Sequence, residues 1–413
     1  MEPRTATAPQ VEGLVSRERA LRDFFEAWEV PPHLKAAELV SLDDAAGRIA
    51  ACDVFSSTTL PVVRASGFDG VGVRSSDFEA GSPDTAGWIC GRDFVRADTG
   101  DDFPDEFDAV VRIESVVLSD EGAPSFPSDL RVKAGDGIRA AGSTMRPGIR
   151  LIAEGMPIRP TDLAALAMGG AGMVAVRRKP RVAFIPTGSE LVPAGCSVKR
   201  GQTIDGNSPM VKHLLIEYGA DPVMFPIVED DPDKLREALD RALESCDAVV
   251  VNGGSAVGSE DFNVHIIEER GRVVHHDIAA VPGRPMLLGV IEGKPVIDLP
   301  GPAVAAFYGM QWCIQSVTAR MLGTKTKTLP RVTARVEERR DNPPFMANLS
   351  RIELHRDGRE FVARFLDPRK GSSLGAALAS NAQRVSPLGE GALEAGSTIE
   401  VELLRGEEFI GES

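Results

Sequence analysis

The chain is poor in cysteine. Its five cysteines, Cys52, Cys90, Cys196, Cys246 and Cys313, are far apart, odd in number and never paired as C-x-x-C. That pattern argues against a disulfide framework or a zinc knuckle, and it fits a reducing cytoplasm. Long apolar runs are missing too. With no stretch of about 18 apolar residues, no membrane span is expected. The first residues, Met1-Glu2-Pro3-Arg4-Thr5-Ala6, hold no apolar core and do not read as a signal peptide. Positive charge is in deficit, with 46 Lys+Arg against 61 Asp+Glu and a net charge of −15. Nucleic acids and anionic membranes are held by clustered Lys and Arg, so neither is expected as a partner. A small anion stays within reach, because a nest of backbone N–H groups holds one whatever the net charge. G-x-G-x-x-G, G-K-S/T and G-x-S-x-G are all absent, so there is no dinucleotide fingerprint, no P-loop and no nucleophile elbow.

What is present is ample core material. The 413 residues are 43% hydrophobic, enough for roughly two to four domains. Ala20, Leu21, Phe24, Phe25 and Trp28 recur at helical spacing over residues 16–28, and residues 42–49 read as a short helix behind Ser41 as N-cap. Residues 54–150 change texture to short Val/Ile runs between Gly-, Asp- and Ser-rich turns. Gly70-Val71-Gly72-Val73, residues 109–113 and Leu130-Arg131-Val132 are the expected strands. Helical spacing returns at Leu163, Leu166 and Ala167 and stops at Gly169-Gly170. The β-rich stretch therefore reads as an insertion in a helical subdomain made of residues 1–53 and 151–178. The basic triplet Arg177-Arg178-Lys179 reads as a solvated linker.

Residues 179–328 alternate strand and helix. Strands are expected at 182–186, 223–228, 247–251 and 296–299. Helices are expected from Ser208-Pro209, from Asp231-Pro232, over 261–270 and over 304–322. This implies a doubly wound, mostly parallel sheet. Residues 329–413 alternate like short antiparallel strands, with a hairpin at Arg356-Asp357-Gly358, and read as a small β-barrel or sandwich. The fold class is thus α/β multidomain.

Open parallel sheets bind ligands beyond the carboxyl ends of their strands. That singles out Thr187-Gly188-Ser189-Glu190, residues 252–261, Pro282-Gly283-Arg284-Pro285 and Pro300-Gly301-Pro302. In the second loop, Gly253, Gly254 and Gly258 permit sharp turns that present N–H groups to an anion. Asp261 either caps the next helix or points a carboxylate at a metal or substrate. In His275-His276-Asp277, adjacent side chains point apart on a strand, which argues against a metal site. Taken alone, Asp69-Gly70 reads as an ordinary turn and Glu190 as a surface charge.

Taken together, these loops resemble the MoeA/gephyrin E-domain family. Its T-G-D/S-E-L is similar to Thr187 through Leu191, and its G-Q-I/V-x-D/N-x-N-x-x-M to Gly201 through Met210. Its S-G-G-V/T-S-V-G-x-x-D is similar to Asn252 through Asp261, and its P-G-K-P to Pro282 through Pro285. Its G-L-P-G-N-P-V-S is similar to Asp298 through Ala305. Upstream, S-A-M-D-G-Y-A resembles Ser66 through Gly72, and M-T-G resembles Asp98-Thr99-Gly100. The resemblance runs from about residue 16 to 404. It implies a molybdopterin-binding α/β domain and insertion of molybdate into adenylylated molybdopterin with AMP release, assisted by Mg²⁺. It also implies a homodimer in which Asp69 acts on the partner's loops. The resemblance makes Asp69, Glu190 and Asp261 the catalytic residues, with Glu190 and Asp261 on the metal. Thr99, Gly188, Ser189, Asp205, Asn207, Asn252, Gly253, Gly254, Ser255, Gly258, Arg284, Pro300 and Gly301 then contact the cofactor. A molybdoenzyme or another cofactor-biosynthesis protein is the implied partner.

The chain departs from the family where cations are expected. Two lysines before P-G-K-P correspond to Asp277 and Val281, and the lysine of that motif is Arg284, which keeps charge but changes geometry. Two serines and an asparagine of the loops are Asn252, Ala256 and Pro302, and the carboxylates of R-x-x-G-E-D are Ser143 and Thr144. Three readings follow: a working insertase, a paralogue that binds the pterin as carrier, sensor or scaffold, and an insertase-like protein for tungstate.

Overall fold

The computed structural model describes residues 14–120, 122–253, 262–367 and 373–411. The chain divides into two compact units, one of Met1–Ala36 with Arg177–Ser413 and one of Ala37–Val176.

The larger unit holds helix α1 (Arg17–Ala27) and then the α/β alternation. Its elements are β1 (Arg181–Pro186), α2 (Asn207–Glu217), β2 (Asp221–Met224), α3 (Pro232–Ser245), β3 (Ala248–Asn252) and α4 (Phe262–Arg270). They continue with β4 (Arg272–His276), β5 (Leu287–Ile291) and β6 (Lys294–Leu299). The six strands lie in the order β2-β1-β3-β6-β5-β4. The first four are parallel, while β5 runs antiparallel to both of its neighbours. The strands β4 and β5 extend the parallel core that the sequence predicts.

Alternation along the strands builds two apolar layers. Val182 and Phe184 of β1, Val250 of β3 and Ile297 of β6 face one way, joined by Val211 and Leu215 of α2. Ala183, Ile185, Val249, Val251 and Val296 face the other, against Leu235, Leu239 and Leu243 of α3 and Ile266 and Ile267 of α4. Strands buried on both faces need apolar residues at every position, which explains their unbroken Val/Ile runs. Helix α1 completes the first layer through Ala20, Phe24 and Trp28, and the Trp28 indole N–H donates to the Gly293 carbonyl at 3.1 Å. The N-terminal helix therefore belongs with the sheet. The expectation that it forms a helical subdomain with residues 151–178 is corrected, because its large apolar side chains Phe24 and Trp28 are spent on this layer.

Asp231 caps α3 as expected, accepting from the N–H groups of Asp233 and Lys234. The start of α2 is different. Asp205, rather than Ser208, does the capping, accepting from the N–H of Asn207 at 3.1 Å and of Ser208 at 2.9 Å. The basic triplet is more than a linker, since both Asp247 carboxylate oxygens lie 2.9 Å from Arg178 Nη2. The expected long helix is continuous but contains a wide turn, with α5 (Ala303–Gly309), a π-helical segment Met310–Ile314 and α6 (Gln315–Leu322).

A closed five-stranded barrel follows, formed by β7 (Arg331–Val336), β8 (Ala347–Asp357), β9 (Glu360–Leu366), β10 (Ala382–Ser386) and β11 (Thr398–Leu403). Pairing runs β8-β9-β7-β11-β10 and closes through β10 with β8. Val336, Ile352, Leu354, Ala363 and Val401 fill its interior.

The smaller unit contains the expected helix, Pro160–Met168, whose Leu166 packs with Ala45, Ile152, Ile158 and Val174. The expected helix over 42–49 is reduced to a single 3₁₀ turn, Leu42–Asp44, which follows a strand, Ala37–Ser41. Three antiparallel strands, Gly70–Val73, Val95–Ala97 and Ala109–Arg112, form a small sheet. Leu130 and Val132 pack on its core without forming the expected strand.

Candidate functional site

The carboxyl ends of β1, β3 and β6 converge, as an open α/β sheet requires of its ligand site. Beyond β1, the Thr187 N–H donates to the Asn252 carbonyl at 2.9 Å, and the Gly188 N–H to the Val228 carbonyl at 3.0 Å. Ser189 and Asp230 bond reciprocally. The Ser189 N–H donates to the Asp230 carboxylate and the Asp230 N–H to the Ser189 hydroxyl oxygen, both at 2.9 Å. Gly188 has φ +147°, and a Cβ there would come within 2.8 Å of the Glu190 carboxylate. Glu190 thus folds back over the turn with its carboxylate at the surface.

Two buried amides tie the other loops together. Asn207 Nδ2 donates to Asn252 Oδ1 and to the Gly301 carbonyl, each at 2.7 Å. Asn252 Nδ2 donates to the carbonyls of Leu299 and Pro300 at 3.2 and 2.9 Å. Each side-chain amide carries two donor hydrogens, so both Nδ2 groups are fully used within the protein. Asp205, Asn207, Asn252, Pro300 and Gly301 are therefore brought together, with the two asparagines serving as the floor that holds the loops. The Gly253 N–H donates to the Leu299 carbonyl at 3.1 Å. Gly253 has φ +120°, and a Cβ there would meet the Thr187 carbonyl oxygen at 2.5 Å, so only glycine fits. Gly254, Ser255, Gly258 and Asp261 lie outside the described residues.

Arg284 stands in the segment after β4. Its Nη2 lies 3.5 Å from the Asp277 carboxylate, and Asp277 itself has φ +62°. The residue where the family has a lysine thus partly offsets the charge of Arg284. Val281 sits in a two-residue strand, Ala280–Val281, that pairs with Ala347 and Asn348 of β8. The next residue but one, Gly283, has φ +112°, and a Cβ there would lie 3.8 Å from the Tyr308 ring of α5.

One residue that the motifs do not flag stands out. A cleft of about 500 Å³ is lined by Met210 and Leu214 of α2, by Ala303, Val304 and Phe307 of α5, and by Arg351 of β8. Arg351 is only 8% exposed. Its guanidinium lies over the Phe307 ring at 4.9 Å, and Nη1 donates to Gln383 Oε1 at 3.0 Å. Among the described residues it pairs with no carboxylate, and burial pulls it down from its usual value to about 10. A buried cation facing a cleft without a counter-ion is a ready partner for an oxyanion. Its sequence signal is weak, since Arg351 opens an ordinary strand alternation.

In the smaller unit, Asp69 is exposed at the turn before Gly70. Its Oδ1 accepts from the Thr99 backbone N–H at 2.7 Å and from the Thr99 hydroxyl at 2.9 Å. These two bonds, the backbone one foremost, hold the carboxyl below the usual carboxylate range. Gly70 is obligatory, because a Cβ there would meet the Val111 carbonyl oxygen at 2.2 Å. Asp69 and Thr99 are thus placed together as one carboxylate-bearing turn.

Comparison with known proteins agrees with this architecture. Residues 15–170 match the family described as MoeA N-terminal region (domain I and II), and residues 183–347 match the probable molybdopterin binding domain. The molybdopterin molybdenumtransferase of Bacillus subtilis is 29% identical over 391 residues, covering 90% of each chain. That of Haemophilus influenzae is 29% identical over 306 residues, covering 71% of this chain and 75% of the relative. The molybdopterin biosynthesis moea protein from Pyrococcus horikosii superposes with a TM-score of 0.76 at 27% identity, covering 95% of this chain and all of the other. With two tandem family regions in order and a fold shared along almost its whole length, the chain belongs to the MoeA family.

Proposed function

We propose that this protein acts in molybdenum cofactor biosynthesis as a molybdopterin molybdenumtransferase, joining molybdate to adenylylated molybdopterin with release of AMP. The observation that carries the reading is the convergence of the loops at Thr187–Glu190, Asp205–Asn207, Asn252–Gly253 and Pro300–Gly301 on one sheet edge, in a chain of this family. The task is to hold two anions side by side, and it calls for fixed donors and cations in place before the substrates arrive. The bonds that tie the loops together fix the backbone around the anions. Arg284 and Arg351 supply positive charge where the lysines are missing, with Arg351 the stronger candidate because no carboxylate among the described residues offsets it.

A divalent cation such as Mg²⁺ fits Glu190, whose carboxylate lies at the surface above Gly188 and has no ion-pair partner among the described residues. Asp261 would be its second protein ligand. Bound there, the cation would neutralise phosphate oxygens on the adenylylated substrate. Asp69, held ionised by Thr99, serves in the same reaction, contributed to the loops of a second copy in a homodimer.

The test is incubation with adenylylated molybdopterin, molybdate and Mg²⁺, with AMP release as readout. AMP release from wild type, lost on Glu190→Gln or Asp261→Asn in folded protein, is the expected result. Wild-type protein that binds the pterin but releases no AMP would replace the transferase reading with that of a carrier or sensor. Mass in solution tests the homodimer, and a strict monomer at micromolar concentration would remove the role of Asp69 across subunits.

A further inference from the structure

The first residue of the family's G-L-P-G-N-P-V-S motif, a glycine two residues before the proline, is matched here by a carboxylate. Asp298 stands where the family has glycine, and it is fully buried. It lies near the carboxyl end of β6, in register with Val251 of β3 on one side and Leu287 of β5 on the other. A buried carboxylate without hydrogen bonds costs several kcal/mol by order of magnitude, so it must be held by donors. One donor is Asn263, in the first turn of α4 and 1% exposed, whose Nδ2 lies 3.0 Å from Asp298 Oδ2. The same Nδ2 donates to the Gly253 carbonyl at 2.6 Å.

This pair closes a set of constraints on one residue. The Gly253 N–H is held by the Leu299 carbonyl, next in chain to Asp298. Its Cα packs against Thr187, where not even a methyl group fits. Its carbonyl is held by Asn263. An amide group with two hydrogens can orient toward a carbonyl alone in many ways, whereas a second acceptor fixes its plane. Asp298 is that second acceptor, in a low-dielectric interior where a hydrogen bond is strengthened.

We infer that Asp298 and Asn263 are a positioning pair that fixes Gly253, at the carboxyl end of β3, for anion binding. The pair acts through Gly253 and touches no substrate. The part concerning anion binding rests on the proposed function. The part concerning Gly253 does not.

The experiment uses the full chain and three variants, Asp298→Ala, Asp298→Asn and Asn263→Ala. Native-state hydrogen exchange at the Gly253 amide reads that position, and titration with molybdopterin reads the anion site. Exchange at Gly253 should quicken tenfold or more in Asp298→Ala and Asn263→Ala, while amides at the far end of β3 stay unchanged. Asp298→Asn, which still offers an oxygen to Asn263, should stay within about threefold of wild type. Pterin affinity should follow the same order, falling at least fivefold in the two alanine variants. Should Asp298→Ala fail to fold, Asn263→Ala and Asp298→Asn carry the same comparison. Unchanged exchange in Asn263→Ala would overturn the inference. So would Asp298→Asn as impaired as Asp298→Ala, because the role would then be charge and not position. If exchange responds but wild type neither binds the pterin nor releases AMP, the proposed function fails and the claim that the pair serves anion binding is overturned with it.

Discussion

Replacing Arg351 with Met separates binding from stability. The two side chains have similar length, but Met has no charge to desolvate. The drop in the Arg351 pKa from its usual value to about 10 corresponds to about 3 kcal/mol, at about 1.4 kcal/mol per pH unit. The fold bears this cost to keep the guanidinium charged inside. The hydrogen bond to Gln383 returns about 1.5–3 kcal/mol, and the contact with Phe307 about 1 kcal/mol. These terms nearly cancel, so Arg351→Met should unfold in urea within about 1 kcal/mol of wild type. The sign with pH follows. A base whose folded pKa is depressed destabilises the fold at all pH below about 10, and the penalty is relieved as pH rises from about 10 toward the usual guanidinium range. Wild type should therefore gain stability relative to Arg351→Met in that window. Molybdate affinity should fall by about 10- to 150-fold, the equivalent of one charge-assisted contact of about 1.5–3 kcal/mol. Isothermal titration and urea unfolding measure the two effects. A variant that loses more than about 3 kcal/mol of stability yet binds molybdate as wild type does would refute the reasoning and make Arg351 a strut.

Three further outcomes are expected. Asn207→Ala removes two short bonds and leaves the Asn252 and Gly301 oxygens without their donor, so urea unfolding should show a loss of about 2–4 kcal/mol. An unchanged midpoint would mean that the amides do not tie the loops. Trp28→Ala should cost about 3–5 kcal/mol, because α1 is part of the sheet's apolar layer. Limited proteolysis should then release α1 first, and full protection would contradict its assignment to the larger unit. Thr99→Val removes a hydroxyl from Asp69 and leaves the backbone bond. The Asp69 pKa is depressed in the fold, so its charge is kept above the ordinary carboxylate range and lost only as pH falls through the lowered value. The acid limb of the AMP-release profile should therefore move to higher pH in Thr99→Val, and an unmoved limb would remove Asp69 from the rate-determining ionisation.

Much of this architecture can be read in the sequence because its signals are local. The strand runs at 182–186 and 296–299, the Asp231-Pro232 helix start and the Arg356-Asp357-Gly358 hairpin depend on neighbours in the chain. Errors arose where distant contacts outweighed local preference. Residues 37–41 pair with Met173–Arg177 and form a strand, although the apolar spacing just beyond them suits a helix. Ser208 has the right side chain for a cap, but it already lies inside the helix, and Asp205 accepts from the N–H groups of Asn207 and of Ser208 itself. Arg177-Arg178-Lys179 looks solvated until Asp247, far along the chain, is brought against Arg178.

The site divides in the same way. Residue types and order alone determined that glycine-rich turns and acidic residues follow the strands of an α/β sheet, because periodicity and turn chemistry are properties of adjacent residues. Only the tertiary structure decided what those residues do with their hydrogen bonds. It commits the amide donors of Asn207 and Asn252 to the loops, sets Asp277 against Arg284, and buries Arg351 and Asp298 where charge has the greatest effect. Burial and partnership across hundreds of residues are not written in any local window, and they settle whether a polar side chain is spent on the fold or left for a ligand.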